Sequence, residues 1–152
     1  MPLSDLLASK AVVSALKASD KKEAIQGLAA RLGTLIRRDA NEIFEVLLQR
    51  ERLGSTGIGG GVAIPHGKLP KLDKLVGVFA RLAKPINFDA LDGEPVDLVF
   101  ALLAPEAAGA DHLKALARIA RLLRDPEVAE KLRTVVDSDQ MFAVLTAPAA
   151  AA

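Results

Sequence analysis

The chain has 152 residues, of which 51% are hydrophobic and 26% charged, and these values are typical of a single globular domain. It contains no cysteine, which excludes disulfides, zinc-thiolate sites, iron–sulfur clusters and thiol catalysis. A formal net charge of +1, with five Phe and no Trp or Tyr, argues against a nucleic-acid-binding surface and against a membrane-interface anchor.

The two ends of the chain indicate where the domain lies and where it stops. Asp5, Lys10 and Lys17 interrupt the N-terminal sequence, so neither a signal-peptide core nor a membrane-spanning helix can be drawn there. We therefore expect a cytoplasmic protein that does not insert into membranes. Residues 147–152 read Ala-Pro-Ala-Ala-Ala-Ala and are predicted to be a disordered tail that follows a single domain of residues 1–146.

The first half of the chain carries one strand-like and two helical patterns. Residues 11–16 form a short apolar run typical of a strand. Residues 21–32 have apolar positions at helical spacing, and Gly33 directly after them predicts the end of that helix. An acidic capping box over residues 39–42 predicts the start of a second helix, which should continue to Gly54.

The second half of the chain alternates between strands and helices again. Residues 76–82 and 97–104 are predicted strands, and the unbroken apolar run of the latter indicates a central strand buried on both faces. Helices are predicted over residues 111–123, 127–132 and 138–145. The first of them should direct these side chains inward: Leu113, Leu116, Ile119, Ala120 and Leu123. The alternation predicts an α/β sandwich with a mixed central β-sheet covered by helices on both sides.

A glycine-rich segment over residues 54–70 is where we expect chemistry, because it holds six of the chain's eleven glycines. The glycines serve either close backbone packing or the convergence of N–H groups on an anion, with Ser55 and Thr56 as hydroxyl donors. The segment matches neither a P-loop nor a dinucleotide-binding fingerprint, because the spacing is wrong or a required residue is missing. The acidic stretch 89–94 lacks a calcium-loop pattern and is predicted to be a turn.

Three side chains are candidates for phosphoryl chemistry. His66 lies between Pro65 and Gly67, which aim and expose its ring, so it is either an inconsequential loop histidine or a nucleophile for a phosphoryl group. His112 lies in the first turn of a predicted helix, where the dipole favours a neutral ring. His112 is either a histidine whose hydrogen bonds are satisfied at the helix end or a neutral partner of that nucleophile. Arg50 either complements the end of its helix or holds phosphoryl oxygens through two hydrogen bonds.

A longer stretch of sequence carries a family resemblance. The run Arg-Glu-Arg-Leu-Gly-Ser-Thr-Gly-Ile-Gly-Gly-Gly-Val-Ala-Ile-Pro-His-Gly-Lys-Leu-Pro over residues 50–70 closely resembles the active-site segment of phosphotransferase-system (PTS) IIA proteins of the fructose/mannitol type. The resemblance is greatest to the nitrogen-regulatory branch and continues through Pro-Ile-Asn-Phe-Asp-Ala, Pro-Val-Asp-Leu-Val-Phe and His-Leu-Lys-Ala-Leu, at residues 85–90, 95–100 and 112–116. It covers nearly the whole chain before the alanine tail and implies the family's α/β sandwich with a mixed sheet.

The resemblance implies a role for four side chains. His66 matches the histidine that receives a phosphoryl group from the phosphohistidine of an HPr-like carrier, which phosphoenolpyruvate supplies through an enzyme I-like protein. Arg50 matches the arginine that neutralises the phosphoryl group, and His112 matches the second active-site histidine. Thr56 matches a hydroxyl residue of the same loop and is a candidate hydrogen-bond donor to phosphate. No metal or cofactor is expected for transfer between two histidines.

The resemblance also implies a function for the whole chain. We expect a bacterial phosphocarrier, rather than a free-standing kinase, that regulates partners such as a potassium transporter or a sensor kinase through the phosphorylation state of His66. Two alternatives stay open: a sugar-specific IIA component that passes phosphate to a IIB domain, and an unphosphorylated interaction module. No heptad pattern or assignable apolar patch indicates self-association, so a monomer is expected.

Overall fold

Residues 2–147 are described by the computed structural model, and residues 148–152 of the predicted alanine-rich tail lie outside them. The strands of the described part are β1 (Val12–Leu16), β2 (Gly57–Gly59), β3 (Val62–Ala63), β4 (His66–Leu69), β5 (Val76–Ile86) and β6 (Val96–Pro105). Its α-helices are α1 (Lys21–Ile36), α2 (Ala40–Leu53), α3 (Ala110–Arg124), α4 (Pro126–Thr134) and α5 (Ser138–Thr146). Two short 3-10 turns, Leu3–Asp5 and Ser9–Ala11, precede β1.

The sheet is mixed and is organised around β6. This strand pairs antiparallel with β5 and parallel with β3 and β4, while β5 pairs parallel with β1 and β2 pairs antiparallel with β3. Every residue from Leu98 to Ala104 is fully buried. Because successive side chains of a strand point to opposite faces, both faces of β6 are covered. The predicted α/β sandwich with a mixed central sheet is therefore confirmed.

The first helix extends further than its sequence pattern indicates. The predicted end at Gly33 is wrong, because α1 continues to Ile36 and stops at Arg37, which adopts a left-handed conformation with φ of 58°. Gly33 lies inside the helix for a packing reason, since a Cβ at this position would lie 2.8 Å from the carbonyl oxygen of Arg38. The glycine thus lets the chain turn back closely against α1 before α2 begins.

The second helix has the predicted bounds and the predicted capping residue, but its capping box is incomplete. It begins after Asp39 and ends before Gly54, and the Asp39 carboxylate accepts the N–H of Asn41 over 2.9 Å. Glu42 does not complete a capping box, because its carboxylate pairs instead with the guanidinium of Arg38 at 2.6 Å. An ion pair with a residue outside the helix replaces the reciprocal contact.

Outside the glycine-rich segment, the other predicted strands and helices agree in type with the sequence patterns and differ mainly in length. The strand predicted over residues 76–82 continues to Ile86, and an irregularity in its pairing with β6 falls between Arg81 and Ile86. The last two helices form as predicted, with Asp125 capping α4 and Pro126 at its first position. Within residues 2–147, every helix is too short or too polar to span a lipid bilayer.

Arg81 joins the sheet to the end of α4, a contact that no sequence pattern indicates. Its Nε donates to the carbonyl of Ser14 over 3.0 Å, and its Nη1 donates to the carbonyls of Leu132 and Val135 over 3.1 and 2.7 Å. The carbonyls of Leu132 and Val135 lie at the C-terminal end of α4, where a helix leaves its last carbonyls without partners. One guanidinium therefore connects β1, β5 and the C-terminal helices.

Candidate active site

The glycine-rich segment folds into three short strands and is not one continuous loop. Sharp turns between β2 and β3 are possible because Gly59, Gly60 and Gly61 all have positive φ, at 98°, 65° and 79°. The third strand, β4, begins at His66, which pairs with Leu102 of β6. His66 therefore lies on the sheet, and the expectation of a histidine on a free loop is wrong.

The imidazole of His66 is half-buried and held in one orientation. Its Nδ1 lies 2.7 Å from the carbonyl oxygen of Ile64. Because a carbonyl oxygen only accepts, Nδ1 carries the proton in this contact and Nε2 keeps its lone pair. The geometry thus leaves Nε2 as the nucleophilic nitrogen of the ring.

His112, which lies in α3, packs against the imidazole of His66. It is the third residue of that helix and is buried, and the centroids of the two imidazoles lie 5.6 Å apart with the planes at 73°. Its Nε2 is buried without a hydrogen-bond partner among the described residues. Leu113 was predicted to point inward but is 68% exposed. Only the start of α3 differs from the prediction: His112 and Ala115 are buried there, whereas Ile119 and Leu123 are buried as predicted.

Arg50 completes this group from the last turn of α2. Its Nη1 donates to the carbonyl of Gly54 over 2.9 Å. Arg50, His66 and His112 line one pocket of about 640 Å³, together with the basic side chains of Arg52 and Lys68. The fold therefore brings three of the four predicted site residues together around the imidazole of His66.

Thr56, the fourth predicted site residue, is buried and faces the protein interior. Its hydroxyl donates to the carboxylate of Glu51, and its N–H donates to the other oxygen of the same carboxylate over 2.9 Å. Thr56 does not line the pocket. Sequence reasoning missed Glu51, although a carboxylate in the last turn of a helix is unfavourable for the dipole and signals a compensating partner.

The glycine N–H groups of the segment are used mainly within the protein. The N–H of Gly57 donates to the Ser55 hydroxyl, which in turn donates to the carbonyl of Phe88 over 2.7 Å. The N–H of Gly60 donates to the carboxylate of Asp92 over 3.0 Å. The N–H groups of Gly57 and Gly60 are therefore used inside the protein, and close packing applies to Gly57, where a Cβ would lie 2.8 Å from Cβ of Ala90.

The environment favours the neutral form of both imidazoles. Burial lowers the pKa of His66 below its ordinary value of 6.5, and the positive charge of Arg50 lowers it further. The contact with Ile64 and the negative charge of Glu51 raise that pKa but do not outweigh burial. Burial also lowers the pKa of His112, with smaller contributions from the charges of His66 and Lys68. A neutral His66 is what nucleophilic attack requires.

These lowered pKa values predict how stability depends on pH. We expect the free energy of unfolding to decrease as the pH falls through 6.5, because the unfolded chain binds protons on both histidines before the folded protein does. The decrease should level off below the two folded-state pKa values. Urea unfolding between pH 7.5 and pH 5 measures it. A double variant, His66→Gln with His112→Gln, lacks both titrating rings and should show a flatter profile; an equal slope in both proteins would contradict the prediction.

Gly67 sets the distance between β4 and α2. A Cβ at this position would overlap Cγ1 of Val46 and lie 3.4 Å from the Val46 carbonyl oxygen. Only glycine therefore lets α2, which carries Arg50, lie this close to the strand that carries His66.

We expect Gly67→Ala to lower the free energy of unfolding by about 1–3 kcal/mol, because the added methyl group forces α2 away from β4. Urea denaturation gives the difference from the wild type. In the double variant Gly67→Ala with Val46→Ala, removal of the obstructing methyl groups should restore most of the loss. If the two effects simply added, the overlap with Val46 would not be the cause.

Comparisons with known proteins find a matching family and similar relatives. The family model described as "Phosphoenolpyruvate-dependent sugar phosphotransferase system, EIIA 2" matches residues 5–147. A relative from Bradyrhizobium diazoefficiens, named "Nitrogen regulatory protein", is 60% identical over 152 residues, covering 100% of this chain and 99% of the relative. Residues 2–147 contain no group of three or more His, Cys, Asp or Glu side chains placed to hold a metal ion.

Two solved structures have similar folds. The crystal structure of nitrogen regulatory protein IIA-Ntr from Neisseria meningitidis superimposes with a TM-score of 0.90 at 36% identity, covering 95% of this chain and 99% of that chain. The crystal structure of IIA mannitol from Escherichia coli has a TM-score of 0.75 at 23% identity, covering 91% of this chain and 97% of that chain. The second likeness concerns the fold alone.

Proposed function

The chain belongs to the EIIA 2 family of the phosphoenolpyruvate-dependent sugar phosphotransferase system, and we propose that it is a phosphohistidine carrier that accepts a phosphoryl group on Nε2 of His66. The donor is the phosphohistidine of an HPr-like protein, supplied from phosphoenolpyruvate through an enzyme I-like protein. The observation that carries this proposal is the contact between His66 Nδ1 and the Ile64 carbonyl, which leaves Nε2 free in a pocket lined by Arg50 and His112.

The transfer exchanges one nitrogen–phosphorus bond for another. The lone pair of His66 Nε2 attacks phosphorus while the bond to the donor nitrogen breaks, and the bonding electrons return to the donor imidazole. Each ring keeps the proton on its other nitrogen, so no net proton transfer is needed. The role of the protein is to place the two rings in line and to stabilise charge on the three phosphoryl oxygens.

Arg50 and His112 provide that stabilisation. The guanidinium of Arg50 has donors beyond the one given to Gly54, and a planar guanidinium can bind two phosphoryl oxygens at once. His112 has a buried nitrogen without a partner, which is costly unless a ligand supplies one. A phosphoryl oxygen between the two rings accepts a hydrogen bond from that nitrogen.

Phosphorylation of His66 also serves as a regulatory signal in this proposal. The relative from Bradyrhizobium diazoefficiens is named a nitrogen regulatory protein, and a phosphoryl group adds about two negative charges to a pocket with three basic side chains. Such a change alters which surfaces can bind there, so that partners in the cytoplasm, such as a potassium transporter or a sensor kinase, can distinguish the two states. A His66→Asp variant that bound every partner as the unphosphorylated wild type does would contradict this part.

A second function is the transfer of phosphate to a IIB component during sugar uptake. The family description, which names a sugar phosphotransferase system, favours it. Both functions use the same chemistry at His66 and differ in whether the phosphate is then passed to a IIB domain or is retained as a signal. Addition of fructose-type and mannitol-type IIB domains to the phosphorylated protein separates them, because only the sugar-specific function predicts rapid loss of phosphate to IIB.

Intact-mass measurement tests the proposal. The protein is mixed with phosphoenolpyruvate, an enzyme I-like protein and an HPr-like carrier, and in a parallel reaction with ATP alone. We expect one acid-labile phosphate in the first reaction and none in the second. If a carrier shown to be competent on another IIA protein produced no mass increase, the interaction module would become the better description.

The surface around the pocket fits a protein donor. Leu53, which lines the pocket, is 85% exposed, and Leu113, which follows His112, is 68% exposed. Exposed large apolar side chains beside a functional pocket are typical of a protein-binding surface. We expect Leu53→Ser with Leu113→Ser to raise the KM for the phosphorylated carrier roughly tenfold, as expected for loss of a modest apolar contact, with kcat unchanged. Steady-state kinetics measures both, with Val136→Ser, another exposed apolar residue, as the control; an unchanged KM would contradict the prediction.

A further inference from the structure

Glu51 is a buried carboxylate beside the pocket that the proposed transfer does not use. It is only 5% exposed, although it lies in the last turn of α2, where the helix dipole disfavours negative charge. A buried carboxylate is maintained only where hydrogen bonds and opposite charges compensate for lost hydration. The partners of Glu51 therefore indicate what it holds in place.

Two residues hold the Glu51 carboxylate. The N–H of Thr56 donates to one oxygen over 2.9 Å, and the Thr56 hydroxyl donates to the other. The ammonium group of Lys21 lies 3.4 Å from the first oxygen and also contacts Asp89 at 3.1 Å. Because Thr56 uses both of its donors on one carboxylate, its backbone is fixed relative to α2.

Thr56 passes this constraint on to His66. The carbonyl of Thr56 accepts the N–H of Ile64 over 2.9 Å, and the carbonyl of Ile64 contacts Nδ1 of His66 over 2.7 Å. A series of hydrogen bonds thus leads from the Glu51 carboxylate through the backbones of Thr56 and Ile64 to the imidazole, and it fixes where each of these residues lies. Its last member determines which ring nitrogen carries the proton.

The same pair of residues also constrains Arg50. Gly54, two positions before Thr56, accepts a hydrogen bond from Arg50 Nη1 over 2.9 Å and donates its own N–H to the Glu51 carbonyl over 3.2 Å. The segment from Gly54 to Thr56 is therefore attached to α2 at both ends. If Thr56 moved, the carbonyl that orients Arg50 would move with it.

We infer that Glu51 and Thr56 are positioning residues for phosphoryl transfer, which hold Ile64 and Gly54 so that His66 presents Nε2 and Arg50 faces it. The inference rests on the proposed function. It gives the hydroxyl of Thr56 a partner inside the protein, in place of the phosphate contact that the family resemblance implies. Neither residue touches the transferred group.

Four variants test the inference by kinetics. Thr56→Val removes the hydroxyl at nearly constant shape, Thr56→Ser restores it, and Glu51→Gln removes the charge. Glu45→Gln is the matched control, because Glu45 is exposed on the same helix. We expect Thr56→Val and Glu51→Gln to lower kcat for transfer from the phosphorylated carrier roughly ten- to a hundredfold, as expected for a small misplacement of reacting groups, with little change in KM. Thr56→Ser and Glu45→Gln should resemble the wild type.

Nitrogen-15 NMR of the imidazoles provides a readout that a merely structural role would not change. In the unphosphorylated wild type we expect the proton of neutral His66 on Nδ1. In folded Glu51→Gln and Thr56→Val we expect a mixture of the two tautomers. In Glu51→Gln the pKa of His66 should also fall, because the negative charge that offsets Arg50 is lost, while Lys68 and neutral His112 still line the same pocket.

Two results would overturn the inference: a wild-type ring protonated on Nε2, or folded variants with the wild-type tautomer and kcat. If Thr56→Val fails to fold, Glu51→Gln and the wild-type tautomer decide the question. Failure of the proposed function looks different, because the wild type itself would then accept no phosphate from a competent carrier.

Discussion

Replacement of His66 by glutamine is expected to abolish phosphorylation, with no mass increase after prolonged incubation with the complete donor system. The reason is chemical: an amide nitrogen has no available lone pair, whereas the Nε2 of a neutral imidazole does. Glutamine can still donate a hydrogen bond towards Ile64, so the fold should be retained. Intact mass and circular dichroism, recorded on the same sample, measure both effects.

His112→Gln is the comparison that separates the two histidines. We expect this variant to accept one phosphate at a reduced rate, because His112 stabilises charge and does not form the covalent bond. If His66→Gln still gained phosphate and His112→Gln did not, the assignment of the nucleophile would be reversed. If both gained phosphate, the acceptor would lie elsewhere in the chain.

Loss of the guanidinium at Arg50 should have the next largest effect. We expect Arg50→Met to lower kcat for transfer by about 100- to 1000-fold, which is typical for removal of one preorganised charge-stabilising group. The methionine preserves apolar contacts of the side chain but cannot neutralise phosphoryl oxygens. Rapid-quench measurement of transfer from the phosphorylated carrier gives the rate.

Arg50→Lys distinguishes charge from geometry at this position. A lysine keeps the positive charge but cannot bind two phosphoryl oxygens through a planar fork, so it should recover only part of the rate. Arg31→Met, on the exposed side of α1, controls for the change in net charge. If Arg50→Met and Arg31→Met transferred phosphate equally fast, Arg50 would have no role beyond ending its helix.

The local patterns of the sequence predict most of the elements correctly. The apolar run within the predicted strand 97–104 indicates a central strand because burial on both faces requires apolar residues at successive positions, and Leu98 to Ala104 of β6 meet this requirement. The predicted end of α2 at Gly54 also agrees with the structure, and the gap between the helices predicted over 111–123 and 127–132 falls at Asp125 and Pro126.

Patterns fail where a distant contact outweighs a local preference. Gly33 reads as a helix end, but the returning chain at Arg38 leaves no room for a Cβ, and the helix continues. Leu113 reads as an inward residue, but His112 is buried against the ring of His66 and the leucine is exposed. Neither neighbour is visible from the local sequence.

The sequence predicts the site only in part, because one of its contacts depends on how the chain folds back onto a helix. Arg50, His66 and His112 are found together, as their residue types and the family resemblance imply. The hydroxyl of Thr56 faces Glu51, which depends on how the segment after α2 folds back onto the helix. A hydroxyl next to glycines is equally compatible with a bound anion and with an internal carboxylate, so the sequence does not distinguish them.

The position of β6 has a consequence for the newly made protein. His66 pairs with β6 at Leu102, and its ring partner His112 comes still later in the chain. During synthesis, Arg50 and His66 therefore leave the ribosome well before the strand and helix that complete their surroundings. Contacts between such distant segments form late in folding. An unfinished chain has the acceptor histidine but not the acceptor site. Only molecules in which β6 and α3 have already folded should therefore accept phosphate.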